Sequence, residues 1–157
     1  MIEKYAVHPH DAKPSVDLAT PLSVELFMRP PADVLNTHVK DIIGNRFLAK
    51  KGTTEREREL STVTEEVTAD YFEGCKYIGL VFSANNCAPC YTMMQLLRNF
   101  YTDINLEERL FEVVLVSADK NEKDWKDHFN TMPWLSIPFG DMRNFTLARE
   151  HEVSGVP

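Results

Sequence analysis

Residues 77–94, YIGLVFSANNCAPCYTMM, run from an apolar segment of strand length into two cysteines two residues apart, and then into helical spacing. That order narrows the fold more than any other feature of the chain. Met93, Met94, Leu97, Phe100 and Tyr101 recur at the intervals of one helix face, and LFEVVLVS at 110–117 is a second apolar run of strand length. A strand, a helix and another apolar strand make a βαβ unit, with parallel strands buried on both faces and a right-handed crossover. The predicted class is α/β.

The same order carries chemistry. Cys87 falls at the start of the predicted helix, where unpaired N–H groups and the helix dipole favour a thiolate. Cys90 lies about one turn further on, on the same side, placed to resolve a mixed disulfide. Pro89 sits in the first turn, where its missing N–H costs nothing. A metal knuckle is the competing reading, and it needs about four ligands. Cys75 precedes Cys87 by twelve residues, and His8, His10, His38, His128 and His151 are scattered singly and read as surface histidines. No metal and no cofactor are expected. Cys75 reads as a buried or idle thiol.

A length of 157 residues suits one domain with a core of its own. With 24 acidic against 17 basic residues the formal charge is −7, which argues against nucleic acid or an anionic membrane as partner. No apolar run approaches the roughly 18 residues of a membrane span. The start, MIEKYAVHPHDAKPSV, lacks the pattern of a secretory signal, and three cysteines do not make a secreted disulfide framework. A reducing compartment follows, and the expected location is cytoplasmic.

Residues 1–40 hold five of the nine prolines and read as an N-terminal extension or arm, with LSVELFM and ADVLNTHVKDII able to dock on a surface. GNRFLAKKGTTERERELSTV predicts a hairpin turning at Gly52, with strand alternation through TERERELSTV. TEEVTADYF predicts a short helix opened by Thr64, with Glu65 and Glu66 in its first turn. ADKNEKDWKDHF and RNFTLAREHEV predict two more helices, the first with Asp119 as cap and with Trp125 and Phe129 four apart.

Three stretches resemble the thioredoxin superfamily, in its tryparedoxin and nucleoredoxin branch. FEGCKYIGLVFSANNCAPC is similar to that branch's strand leading through F-S-A-x-W-C-P-P-C, and FEVVLVSADKNEKDWKDHF to its second core strand and following helix. TMPWLSIPF is similar to the M-P-W-L-x-x-P-F loop that marks the branch. The resemblance covers residues 41–157 and implies a thioredoxin-like fold, a central mixed sheet flanked by helices. It implies Cys87 as attacking thiol and Cys90 as resolving thiol. Pro157 falls at the position of the family's cis-proline, which receives substrate backbone, and the family continues beyond it with a hairpin and a helix. The resemblance therefore predicts a domain truncated after that position.

Trp134 and Trp125 match aromatic positions, Trp134 being placed with the substrate side of the site, although core packing is the simpler account of both. The chain departs from the pattern at Asn86, where the branch has a tryptophan against substrate, and at Ala88, where it has proline. Val81 and Phe82 stand where thioredoxins proper carry a buried acid. The resemblance implies a thiol–disulfide oxidoreductase acting on protein disulfides and regenerated by an external dithiol reductant. The alternative is a redox-weakened interaction module within a larger assembly.

Overall fold

The computed structural model describes residues 32–52 and 55–155. Five strands form one mixed sheet: β1 (Phe47–Lys50), β2 (Thr64–Val67), β3 (Tyr77–Ser83), β4 (Phe111–Ser117) and β5 (Leu135–Ser136), in the order β2-β1-β5-β4-β3. β3, β4 and β5 run parallel, and β1 runs antiparallel to both β2 and β5. The helices are α1 (Ala32–Ile43), α2 (Glu55–Leu60), α3 (Ala88–Ile104), α4 (Glu122–Asn130) and α5 (Arg143–Glu150), with a 3-10 turn at Ala69–Phe72. The expected α/β fold with a mixed sheet between helices is therefore the one observed.

The uniform apolarity of β4 has a direct cause, since helices cover both of its faces. Val114 and Val116 join a core with Val39 and Ile43 of α1, Phe72 of the turn and Leu147 of α5. Val113 and Leu115 point the other way, into a core with Met94 and Tyr101 of α3 and Trp125 and Phe129 of α4. β3 alternates in the same sense, Leu80 facing the first core and Val81 the second. Each such side chain contributes about 1.5–3 kcal/mol by leaving water. The βαβ crossover thereby holds α3 and α4 on one side of the sheet and the start of α3 at the C-terminal end of β3.

Two local expectations are corrected. β1 and β2 do pair, but Gly52 does not close a tight turn between them, and Glu55–Leu60 is the helix α2 rather than strand. Glu, Arg and Leu are strong helix formers, and no β-branched residue interrupts that run. Strand begins where β-branched residues return, at Thr64–Val67, so Thr64 opens β2 and not a helix. Glu65 and Glu66 consequently stand on an exposed strand, where Glu66 accepts from Arg46 Nε at 2.9 Å.

α1 crosses the expected boundary at residue 40, placing Val39 and Ile43 one turn apart in the first core. It ends at Gly44, whose φ of +87° closes the helix with an N–H bond of 3.1 Å to the Lys40 carbonyl. Arg143 of α5 then seals that end, donating to the carbonyls of Ile43 at 3.0 Å and Arg46 at 2.6 Å. Residues 1–31 and Pro157, and with them most of the predicted arm and the cis-proline position, lie outside the described residues.

Candidate active site

β3 delivers the chain to Ser83, and four residues later Cys87 occupies the N-cap of α3 with extended backbone, φ −119° and ψ 100°. The intervening loop is pinned from three directions. Ala118 N–H donates to the Ser83 carbonyl at 2.9 Å, holding the end of β3 to the end of β4. Asn85 N–H donates to Asp119 Oδ1 at 2.7 Å, while Asp119 Oδ2 accepts from Ser117 Oγ at 2.9 Å. From α3 itself, Tyr91 OH donates to the Asn85 carbonyl at 2.7 Å.

Asp119 is therefore a tether of the cysteine loop and not the cap of α4. That cap is Asn121, whose side chain accepts from Asp124 N–H at 2.9 Å. Asp124 accepts in turn from Asn121 Nδ2 at 2.6 Å and from Asn86 Nδ2 at 3.2 Å. The residue just before Cys87 is thus hydrogen-bonded to the first turn of α4.

Cys87 and Cys90 are joined as a disulfide with their α-carbons 5.2 Å apart. The two sulfurs are not equivalent. Cys87 is nearly buried, 9% exposed, whereas Cys90 is 0% exposed on the face of α3 that turns to the sheet. Pro89 stands in the first turn, and Cys90 N–H bonds the Cys87 carbonyl at 3.1 Å. The tethered loop leaves Cys87 the more accessible of the two residues and holds Cys90 bonded to it from the first turn of α3.

Beneath the loop the sheet offers no carboxylate, since Val81 is buried among apolar side chains of the α3/α4 core. Ser83, two residues further along the same strand face, shares a 2.9 Å hydrogen bond with Nε2 of His128 on α4. His128 is corrected from surface residue to buried one, 2% exposed. Burial pushes its imidazole below the ordinary histidine range, and Asp119 pulls it partly back. The sequence did carry a signal for this: Trp125, His128 and Phe129 sit at i, i+3 and i+4, the spacing of one buried helix face.

The tryptophans serve the core. Trp134 is 1% exposed and meets Tyr101 edge-on at 5.7 Å, so it packs behind the site rather than lining its surface. Trp125 stacks on Phe129 at 5.7 Å and donates its Nε1–H to Ser136 Oγ at 3.0 Å. Among the described residues no group of three or more His, Cys, Asp or Glu is gathered as a metal site. No helix among them is long and apolar enough to cross a membrane. Cys75 is a buried thiol outside the disulfide.

The thioredoxin-like family pattern matches residues 74–157, from the approach to β3 through α5 and beyond. Nucleoredoxin of Xenopus laevis is 40% identical over 82 residues, which are 52% of this chain and 20% of that protein. Tryparedoxin of Trypanosoma brucei brucei is 37% identical over 83 residues, 52% of this chain and 57% of that one. The chain thus spans about a fifth of the nucleoredoxin and little more than half of the tryparedoxin. The solved tryparedoxin from Trypanosoma brucei superposes with a TM-score of 0.59 at 28% identity, covering 76% of this chain and 74% of the other. Sheet order, cysteine placement and these likenesses agree, and the chain belongs to the thioredoxin superfamily, in the branch of the tryparedoxins and nucleoredoxins.

Proposed function

We propose that this chain is a thiol–disulfide oxidoreductase that reduces protein disulfides through Cys87 and Cys90. The observation that carries the reading is the disulfide-bonded pair at the start of α3, in which Cys87 keeps a little exposure and Cys90 has none. In the reduced form the Cys87 thiolate, favoured by the unpaired N–H groups and dipole of α3, attacks a substrate S–S bond. One substrate sulfur leaves as thiolate and the other stays bonded to Cys87. Cys90 then attacks Cys87 Sγ, closing the disulfide and releasing the second substrate sulfur. The substrate is reduced by two electrons, the pair is oxidised, and an external dithiol restores it in a reducing, cytoplasmic setting. Asn86, next to the pair in the chain, and Pro157 are proposed as substrate contacts, as the family resemblance implies, while the buried Trp134 packs in the core against Tyr101.

Reduction of insulin disulfides by the domain, driven by dithiothreitol, tests this reading. Cys87→Ser is expected to abolish turnover. Cys90→Ser is expected to accumulate a mixed disulfide at Cys87, visible by mass spectrometry. Activity that survives Cys87→Ser would remove Cys87 from its role.

A second reading, a redox-weakened module docked in a larger assembly, draws on one observation. Asn86 stands where the branch carries tryptophan, and its hydrogen bond brings Asp124 toward the approach to Cys87. A nearby carboxylate opposes a thiolate. Under this reading Cys87 titrates near the unperturbed value of about 8.5 and alkylates slowly. Under the first it titrates well below that value.

A further inference from the structure

Cys90 must lose its proton before it can resolve a mixed disulfide, because the thiolate is the nucleophile. It is fully buried, and a buried thiol gives up its proton with difficulty unless an acceptor lies close by. Val81 and Phe82 supply no carboxylate on the strand beneath it. Ser83, at the end of that strand, and His128 form a buried polar pair, joined at 2.9 Å. Strand parity puts Ser83 on the face of β3 that bears Val81, and Val81 shares its core with Met94, one turn after Cys90 on the buried face of α3. Ser83 ends β3 and Cys90 stands in the first turn of α3, seven residues further along the chain.

We infer that His128, acting through the Ser83 hydroxyl, takes up the proton that Cys90 releases when it resolves the mixed disulfide. The inference rests on the oxidoreductase reading above. A serine hydroxyl both donates and accepts, so Oγ takes the Cys90 proton as it passes its own to Nε2 of a neutral imidazole. The Cys90 electron pair forms the bond to Cys87 Sγ, and the Cys87–substrate bond breaks with its electrons on the substrate sulfur. The charge of Asp119, in the loop after β4, favours the imidazolium that results. When an external dithiol reopens the disulfide, the proton returns to Cys90 by the same path.

Three other charged groups of α4 and one of β1 have partners of their own. Lys123 is bonded to Asp127 at 2.6 Å on the exposed side, Asp124 is held by Asn121 and Asn86, and Lys50 of β1 donates to the Asn130 carbonyl. β3 contributes Ser83 and α3 the cysteine pair. Burial lowers the imidazole's proton affinity and so favours the neutral form, the one that accepts a proton. His128 is in these terms a positioning residue for the proton, linked to the reacting sulfur by Ser83.

The test uses the reduced chain in a Cys75→Ala background and 5,5′-dithiobis(2-nitrobenzoate) as disulfide. The first thionitrobenzoate released reports attack by Cys87, and the second reports attack by Cys90. His128→Gln keeps a group able to bond Ser83 but holds no titrating proton, and His128→Phe keeps only bulk. Both are expected to leave the first release unchanged and to slow the second at pH 7 by about tenfold or more, the low side of general-base effects. Both should also lose the wild-type fall in second-release rate as pH drops through the imidazole range. Ser83→Ala is expected to do the same, and circular dichroism with thermal melts identifies any variant that does not fold.

A second release equal to wild type in His128→Gln, with the pH profile intact, overturns the inference and leaves only a packing role. Recovery by Gln of the rate that Phe loses overturns it equally. A wild-type chain that gives no first release overturns the oxidoreductase reading itself, and the inference falls with it.

Discussion

Asn86 is the residue whose chemistry most separates this site from the pattern of its branch. Its amide spans from the cysteine loop to Asp124 through one exposed hydrogen bond of 3.2 Å, so it contributes little to stability. An aromatic ring in its place adds a face for substrate, and such a contact is worth about 0.5–1.5 kcal/mol. Asn86→Trp is therefore expected to raise kcat/KM for a protein disulfide about 2- to 10-fold, with the unfolding free energy shifted by less than about 1 kcal/mol. A fall in kcat/KM would mean that a ring at this position obstructs substrate rather than adding a face for it. His128 makes a different prediction, about pH. An imidazole whose folded pKa lies below its unfolded value of about 6.5 binds fewer protons in the folded chain just under that pH. Stability is then present above about pH 6.5 and declines as pH falls through the interval down to the folded value. Urea unfolding at pH 7.5 and 5.5 is expected to show this loss in the wild type and a smaller one in His128→Gln.

At the scale of elements, the joint between α3 and β4 depends on one side chain. Asn105 Oδ1 accepts from Leu110 N–H at 2.9 Å and Phe111 N–H at 3.0 Å, and its Nδ2 donates to the Phe111 carbonyl at 2.9 Å. Asn105→Ala strips partners from three part-buried backbone groups. It is expected to lower stability by about 2–3 kcal/mol, read as a lower urea midpoint at unchanged slope. Asn105→Asp, which keeps both acceptor bonds and loses one donor, should cost less. Such joints are hidden in the sequence, whereas the elements they connect are not. β3, α3, β4, α4 and α5 are legible because their apolar spacing records a local requirement, burial on one helix face or on both faces of a strand. α2 is not legible, because EREREL buries no apolar stripe and its alternating charges fit a solvated strand as well as a helix. Thr64–Val67 misleads for a related reason: acidic residues suit a helix start, but pairing with β1 decides the outcome. In the site, spacing alone locates Cys87 and Cys90. The Asp119 tether and the Ser83–His128 pair join residues 34 and 45 positions apart, and no local pattern encodes such contacts.

Across the whole molecule, a buried ionic cluster ties the two sides of the sheet together. Glu112 of β4, 1% exposed, accepts from Arg109 Nη2 at 2.6 Å, from Tyr101 OH of α3 at 3.2 Å and from Val113 N–H at 2.9 Å. Arg109 also donates to the Tyr71 carbonyl at 2.6 Å and lies 4.1 Å from the centre of that ring, while Arg58 of α2 donates to the Tyr71 hydroxyl at 2.7 Å. Burial pushes the Glu112 carboxyl up, and Arg109, Val113 and Tyr101 pull it back. A cluster of this kind is costly to break from one side, because the surviving charge stays buried without its partner. Arg109→Met, which leaves the Glu112 carboxylate buried without its partner, is expected to lose about 3–5 kcal/mol, a large share of the roughly 5–15 kcal/mol that holds a domain of this size. Glu112→Leu should lose less, since the guanidinium it leaves behind is about one-third exposed and water screens it. The double variant, which leaves no unpaired charge, is expected to be more stable than Arg109→Met alone, giving a coupling of opposite sign to the single losses. Urea unfolding of the four chains closes that cycle. Strict additivity of the two losses would mean that the charges do not act on each other and that Tyr101 and Val113 alone hold Glu112 in place.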